Sequence, residues 1–188
     1  MRKEGGEGEP VKLVHVFPSF ARGGQQMRLA ALAGGLGEAF SHKIISLDGE
    51  LSAGDAFAAK TIEAEAFLAK KSAGVSPSNV RGLIGKIRGA DILCTYNFGS
   101  LEAAIANRFG PRLPQVHFED GFGPDESLTR QKAKRVLMRR LVLATSVVIV
   151  PSHGLESLAR KRWGLKHVRR IANGIDIARF ASAARALR

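Results

Sequence analysis

Residues Val11 to Leu36, VKLVHVFPSFARGGQQMRLAALAGGL, restrict the fold more than any other stretch of the chain. Lys12–Phe17 is a short run of apolar and β-branched residues closed by Pro18, the pattern of a buried parallel strand. The loop that follows ends in Gly23 and Gly24. Leu29, Leu32, Ala33 and Leu36 then recur at i, i+3, i+4 and i+7, so the spacing predicts one apolar helix face. Strand, glycine loop and helix make the opening unit of a doubly wound α/β sheet, where ligands bind beyond the carboxyl ends of the strands. Lacking a Cβ, Gly23 and Gly24 admit unusual φ values and let a ligand approach the backbone. The free N–H groups of the next helix favour an anion there. The plain alternative is a tight turn. The loop is neither G-x-G-x-x-G nor a P-loop.

The same alternation continues to the end of the chain. His42–Leu47 reads as a second strand. Thr61–Leu68 alternates polar and apolar residues, and strand and helix compete there. Pro77 and Ser78 open a helix through Val80, Leu83, Ile84 and Ile87. Asp91–Tyr96 is a strand leading into Asn97–Ser100, with Ser100 placed to cap a helix over Leu101–Phe109. Gln115–Asp120 is the next strand, and its alternation puts His117 and Glu119 on one face and Asp120 on the other. One long helix is predicted over Asp125–Ala144. Val147–Val150 is a further strand, Ser152 caps a helix through Trp163, and Val168–Ala172 is a last short strand. Such a chain builds a mainly parallel sheet with helices on both faces.

At 188 residues one domain with a sizeable core is expected. Residues 1–10 carry charge without an apolar centre, which predicts a disordered leader and excludes a signal peptide. Leu141–Val150 is too short to span a bilayer. Cys94 is the only cysteine, so no intrachain disulfide forms; a reducing, cytoplasmic setting suits that, and Cys94 itself reads as packing. Five histidines without ligand spacing predict no metal site. The net charge of +12 is uneven: residues 1–126 hold 14 Lys+Arg against 15 Asp+Glu, and residues 127–188 hold 15 against two. An anionic partner is expected for the last third. Nucleic acid is not expected, because no recognition motif is present and aromatics do not interleave with the basic residues. Along the predicted 125–144 helix, Lys132, Arg135 and Arg139 share one face, opposite Val136, Leu137 and Leu141. That reads as a basic amphipathic helix able to lie on anionic lipid.

The order of motifs resembles the N-terminal domain of the retaining, nucleotide-sugar-dependent glycosyltransferases of family 4 (group 1). Val14-His15-Val16-Phe17-Pro18 followed by Gly23-Gly24-Gln25-Gln26 is similar to that family's first strand and Gly-Gly loop. Asp91-Ile92-Leu93-Cys94-Thr95 resembles its "DIVHAH" strand, and Val148-Ile149-Val150-Pro151-Ser152 its "VVPS" strand and cap. Ile171–Phe180, IANGIDIARF, closely matches the "IPNGVDLERF" that closes the first domain. Gln26, where an acid is common, and Ala172, where a proline is common, depart from the pattern.

The resemblance implies a Rossmann-like N-terminal half of a GT-B fold. Residues 11–180 would be the acceptor-side domain and 181–188 the start of a linker or tail, with the donor-binding C-terminal domain absent from these residues and the fragment inactive without it. It implies a nucleotide-diphosphate sugar as donor, no cofactor and no metal. The acceptor would be lipid-linked, a saccharide or a small molecule. Gly23 and Gly24 would approach the donor phosphates, and His117 would act as the catalytic residue. Asn97, Glu119 and Asp120 would contact sugar or acceptor. Ser152, Asn173, Gly174 and Asp176 would line an interdomain cleft, and Lys132, Arg135 and Arg139 would meet a membrane. The site is then cytoplasmic or peripheral on the inner face of the membrane. A different class of function remains beside it: a non-catalytic Rossmann-like module holding a phosphorylated or anionic ligand.

Overall fold

The computed structural model describes residues 9–57, 62–70 and 74–174. The leader residues 1–8, the tail 181–188 and Asp176 lie outside the described residues. The apolar runs form seven strands: β1 (Val11–Phe17), β2 (Phe40–Ser46), β3 (Ile62–Ala66), β4 (Ile92–Tyr96), β5 (Gln115–Phe118), β6 (Val147–Val150) and β7 (Val168–Arg170). Between them lie α1 (Gly24–Leu36), α2 (Pro77–Ile87), α3 (Leu101–Phe109), α4 (Ala133–Val142) and α5 (His153–Lys161). All strand pairs are parallel, in the order β3-β2-β1-β4-β5-β6-β7. The direction of winding therefore reverses at β1, whose two neighbours are β2 and β4. The segment 62–66, ambiguous in sequence, becomes a strand because β2 offers it a free edge.

Each face of the sheet has its own core. Val14, Val16, Ile45 and Leu93 pack beneath Leu83 and Ile87 of α2 and Ala103 and Ala106 of α3. Further along that face, Val148, Val150 and Val168 pack with Leu155 and Ala159 of α5, Leu143 and Trp163. On the opposite face, Phe17, Ile44, Cys94 and Tyr96 pack with Leu29 of α1 and with Phe20 and Ala53. Burial pushes the Cys94 thiol up to about 12, which fits a packing role. The apolar stripe predicted for α1 is only half used. Leu29 and Ala33 are buried, whereas Leu32 and Leu36 are 50% and 42% exposed, because α1 touches the sheet along a narrow strip.

Two of the five helices among the described residues carry a side-chain N-cap. Ser76 accepts from the N–H of Asn79 ahead of α2, and Ser152 accepts from Leu155 at 3.2 Å ahead of α5. Ser100 does not cap α3. Its hydroxyl accepts from the Tyr96 N–H at 2.8 Å and donates to the Asn97 carbonyl at 3.0 Å, closing the turn that precedes the helix.

A polar chain crosses the α1-side core. His15 shares hydrogen bonds with the Tyr96 hydroxyl at 2.9 Å and with His42 Nδ1 at 3.0 Å. Tyr96 is stacked between Phe17 and Phe118. Burial, and then the neighbouring His42, lower the His15 pKa to about 3; burial lowers that of His42 as well. These histidines fold neutral but accept protons once unfolded, so stability is lost as pH falls below the ordinary histidine pKa of 6.5. Unfolding free energies from urea melts should therefore drop on going from pH 7 to pH 5, by about 2 kcal/mol from His15 alone. His15→Leu should be less stable at pH 7 but show a flatter profile over that interval. A wild-type profile flat to pH 5 would refute the neutral buried pair.

Candidate functional site

The carboxyl ends of β1 and β4 flank the reversal of winding, the place where open α/β sheets leave a crevice. After β1 the chain turns at Pro18 and enters α1. Gly23, the residue before α1, is extended at φ −165°, and its side-chain-free position makes no capping bond. Neither glycine of the pair uses a left-handed conformation, contrary to the reason sequence gave for them. Gly24 has nothing within 4 Å of where a Cβ would stand, so the backbone at the start of α1 is open to a ligand. The glycine that close packing does require is Gly99. A Cβ there would meet the Pro18 ring at 2.8 Å, where the β1 and β4 loops touch.

Asn97, at the end of β4, has φ 54°, an uncommon value for a side-chain-bearing residue. Its amide exchanges two hydrogen bonds with Gln25: Nδ2 donates to Gln25 Oε1 at 3.0 Å, and Oδ1 accepts from Gln25 Nε2 at 3.4 Å. Asn97 Oδ1 also accepts from the Asp120 N–H at 3.0 Å. Asp120 in turn accepts from Arg28 Nη2 at 2.8 Å, and Arg28 Nη1 donates to Asn173 Oδ1. One polar rim thus joins the first turns of α1, the ends of β4 and β5, and the segment after β7. The Arg28 and Asp120 side chains are about a fifth exposed, so both charges face the opening.

Of the residues expected from sequence, Gly23, Gly24, Asn97, Asp120 and Asn173 come together here. Gly174 adjoins Asn173, with nothing within 4 Å of a Cβ position. Ser152 stands at the end of β6 and caps α5. Sequence missed Gln25 and Arg28, although their place in the first turns after the glycine loop was a usable signal. No helix among the described residues is long and apolar enough to cross a membrane.

His117 and Glu119 lie elsewhere. His117 is wholly buried on the α3–α5 side of the sheet, its Nδ1 hydrogen-bonded to Thr95 Oγ1 at 2.9 Å. Its Nε2 lies 3.6 Å from Glu119 Oε2, too far for a hydrogen bond. This corrects the catalytic expectation for His117: a side chain with no exposed surface does not meet a sugar, and the strand end presents Asp120 instead. Glu119, expected at the sugar, is also fully buried and accepts from Arg139 Nε at 3.0 Å.

Arg139 also corrects the predicted amphipathic helix. The α-helix occupies only Ala133–Val142, about half of the expected 125–144, because residues before it form a loop tied by Glu126. Glu126 accepts from the Lys132 N–H at 3.0 Å, from Arg139 Nη1 at 3.3 Å and from Arg135 Nη1 at 3.2 Å. The Arg139 side chain is 1% exposed, and its guanidinium lies 4.7–5.6 Å from the ring centroids of Phe98, Phe122 and Trp163. Lys132 and Arg135 pair with Asp125, whose carboxyl is held down at about 2, chiefly by Lys132. The face expected to meet lipid is turned onto acidic residues.

Both carboxylates around Arg139 are buried, so removing the cation leaves Glu119 without a cation and Glu126 with Arg135 alone. Arg139→Met should cost about 3–5 kcal/mol in urea unfolding. Adding Glu119→Gln and Glu126→Gln should recover much of that loss. A single variant as stable as the wild type would show that the network does not hold this region.

Residues 22–179 match the family model described as Glycosyltransferase Family 4. No curated protein sequence matches the chain. Among solved structures, it is similar to Anabaena Alr3699/HepE in complex with UDP, at TM-score 0.68 and 17% identity over 94% of this chain and 50% of that one. A glycosyltransferase from Rickettsia africae gives TM-score 0.64 and 14% identity over 94% of this chain and 46% of that one. The UDP-N-acetylglucosamine 2-epimerase of Rickettsia bellii gives TM-score 0.57 and 16% identity over 95% and 49%. The chain spans about half the length of these structures. At such identities the likeness shows the fold, a Rossmann-like half of the GT-B arrangement.

Proposed function

The chain belongs to glycosyltransferase family 4, and from that premise we propose that it is the N-terminal, acceptor-side half of a nucleotide-sugar-dependent retaining glycosyltransferase. The observation that carries the reading is the polar rim at the β1/β4 crevice. It unites an open helix N-terminus at Gly24, the Arg28 cation and the Asp120 carboxylate at the carboxyl edge of the sheet.

Chemistry gives each group a task. The free N–H groups at the start of α1 and the Arg28 guanidinium are donors for the diphosphate of the donor. Arg28 is already shared between Asp120 and Asn173, so phosphate binding would release the Asp120 carboxylate. That carboxylate can then accept a hydrogen bond from a sugar or acceptor hydroxyl, or face positive charge developing at the anomeric carbon. Asn97 fixes the backbone of Asp120 and the side chain of Gln25, and is therefore a positioning residue. Most of the nucleotide would be held by a second domain closing over this edge, with Ser152, Asn173 and Gly174 along the seam. The acceptor is a glycan, a lipid-linked sugar or a small molecule, in a cytoplasmic setting. HepE, which shares the fold, is seen with UDP, and this supports a nucleotide ligand. The epimerase supports the same ligand class without transfer, so UDP binding alone does not separate a transferase from a binding module.

Two measurements test the reading. In NMR titrations of this chain, UDP should move the amide signals of Gly24–Arg28, Asn97 and Asp120, and Arg28→Met should weaken binding about tenfold. Shifts confined to another surface would discard the crevice as the site. With a donor-binding domain joined or supplied, Asp120→Asn should lower transfer at least about a hundredfold with donor KM little changed. Tight nucleotide binding with no transfer to any glycan or lipid acceptor would favour the binding module.

A further inference from the structure

Two arginines of this chain are held in opposite ways. Arg139 is sealed, and both carboxylates that pair with it are enclosed as well. Arg28 is not. Its guanidinium reaches from α1 across the crevice, 6.0 Å from the centroid of the Phe118 ring, to Asp120 beyond β5 and to Asn173 beyond β7. The Arg28 and Asp120 side chains are partly open to solvent, and Asn173 is exposed. Nη2 donates to Asp120 at 2.8 Å, and Nη1 donates to Asn173. These two nitrogens form the fork with which a guanidinium grips two oxygens of one phosphate. That fork is occupied by the chain's own side chains. Asn173 does not need the contact to keep the sheet intact. The Ile171 N–H donates to the Val150 carbonyl at 3.0 Å and continues the β6–β7 pairing past Arg170. The tie from Asn173 to α1 is therefore a side-chain contact that can be exchanged without breaking a strand.

We propose that Arg28 is a self-occupied latch: a diphosphate entering the crevice takes the guanidinium from Asp120 and Asn173, and the loss of Asn173 frees the segment after β7. The inference rests on the phosphate role given to Arg28 above and extends it to a residue on the far side of the crevice. Competition follows from the donor geometry. A phosphate gripped by both Nη atoms uses the same N–H groups that Asp120 and Asn173 now accept from. Against Asn173 it offers a charged acceptor in place of a neutral amide, which is the stronger partner for a guanidinium. Contacts this open to solvent are individually weak, so the latch lowers phosphate affinity by a small factor and does not abolish binding. The same exchange removes the tie between α1 and Asn173. Occupancy on one side of the crevice is thereby passed to the chain leaving the sheet on the other.

Inorganic pyrophosphate titrated into the 188-residue chain and followed by NMR tests the latch. The amide signals of Arg28 and Gly174 should move along one binding curve, while that of Ile171, bonded to Val150, should move little. Asn173→Ala removes a neutral side chain from an exposed position. It should leave the melting temperature unchanged and tighten pyrophosphate binding about threefold, because the competing partner is gone. In an Arg28→Met background the same substitution should leave the residual binding unaltered. Unchanged or weaker binding in Asn173→Ala, with Arg28→Met still weakening it, would overturn the latch and leave the phosphate site standing. No pyrophosphate binding, or binding indifferent to Arg28→Met, would overturn both.

Discussion

The buried contact of Arg139 with Glu119 and Glu126 sets the shape of one half of the molecule. A guanidinium without solvent exposure is costly unless its hydrogen bonds and charge are answered, and here two carboxylates and three aromatic rings answer it. Glu119 is the first residue past β5, and Glu126 belongs to the loop that follows. The arginine of α4 therefore fixes where β5 ends and how the chain leaves it. Asp120, next to Glu119, is forced to the other side and into the crevice. A structural ion pair on one face of the sheet thus positions a chemically available carboxylate at its edge.

The crevice itself comes from topology. Reversal of winding at β1 parts the loops after β1 and β4, and the Gly99–Pro18 contact sets how near they come. Asn97 then bridges the two sides through Gln25 and Asp120. Its positive φ is stored strain held by three hydrogen bonds around its side chain. The α1-side core supports this arrangement from below, because Tyr96, immediately before Asn97, is clamped by two stacked rings and by His15.

Sequence pattern revealed the strands because each is a short apolar run bounded by turn residues, a signal that depends on few neighbours. The alternation through β5 also placed His117 and Glu119 on one face and Asp120 on the other. It could not say which face was open. His117 reads as a catalytic residue by type and position, yet Thr95 and the α3–α5 layer enclose it. The length of α4 departs from the sequence pattern for a related reason: the 125–132 segment has helical composition, but Glu126 spends its carboxylate on Lys132, Arg135 and Arg139. Long-range pairing overrode local preference there. Arg28 gives no periodic signal in the sequence, because it is a single basic residue on its helix, and only the fold brings it to Asp120 and Asn173.

The phase of α4 connects the interior with the outer surface. A helix has one rotation, so the choice of the residue at its buried centre decides what stands opposite. A solvated helix with Arg139 inside would be expected to carry polar residues about half a turn away. This one carries Leu137 and Leu141, beside a groove edged by Arg140 and Arg162. The ion pair that turns Asp120 toward the crevice therefore also turns two leucines toward the exterior. In this geometry, the placement of the crevice carboxylate and the character of the outer face are two consequences of burying the same guanidinium.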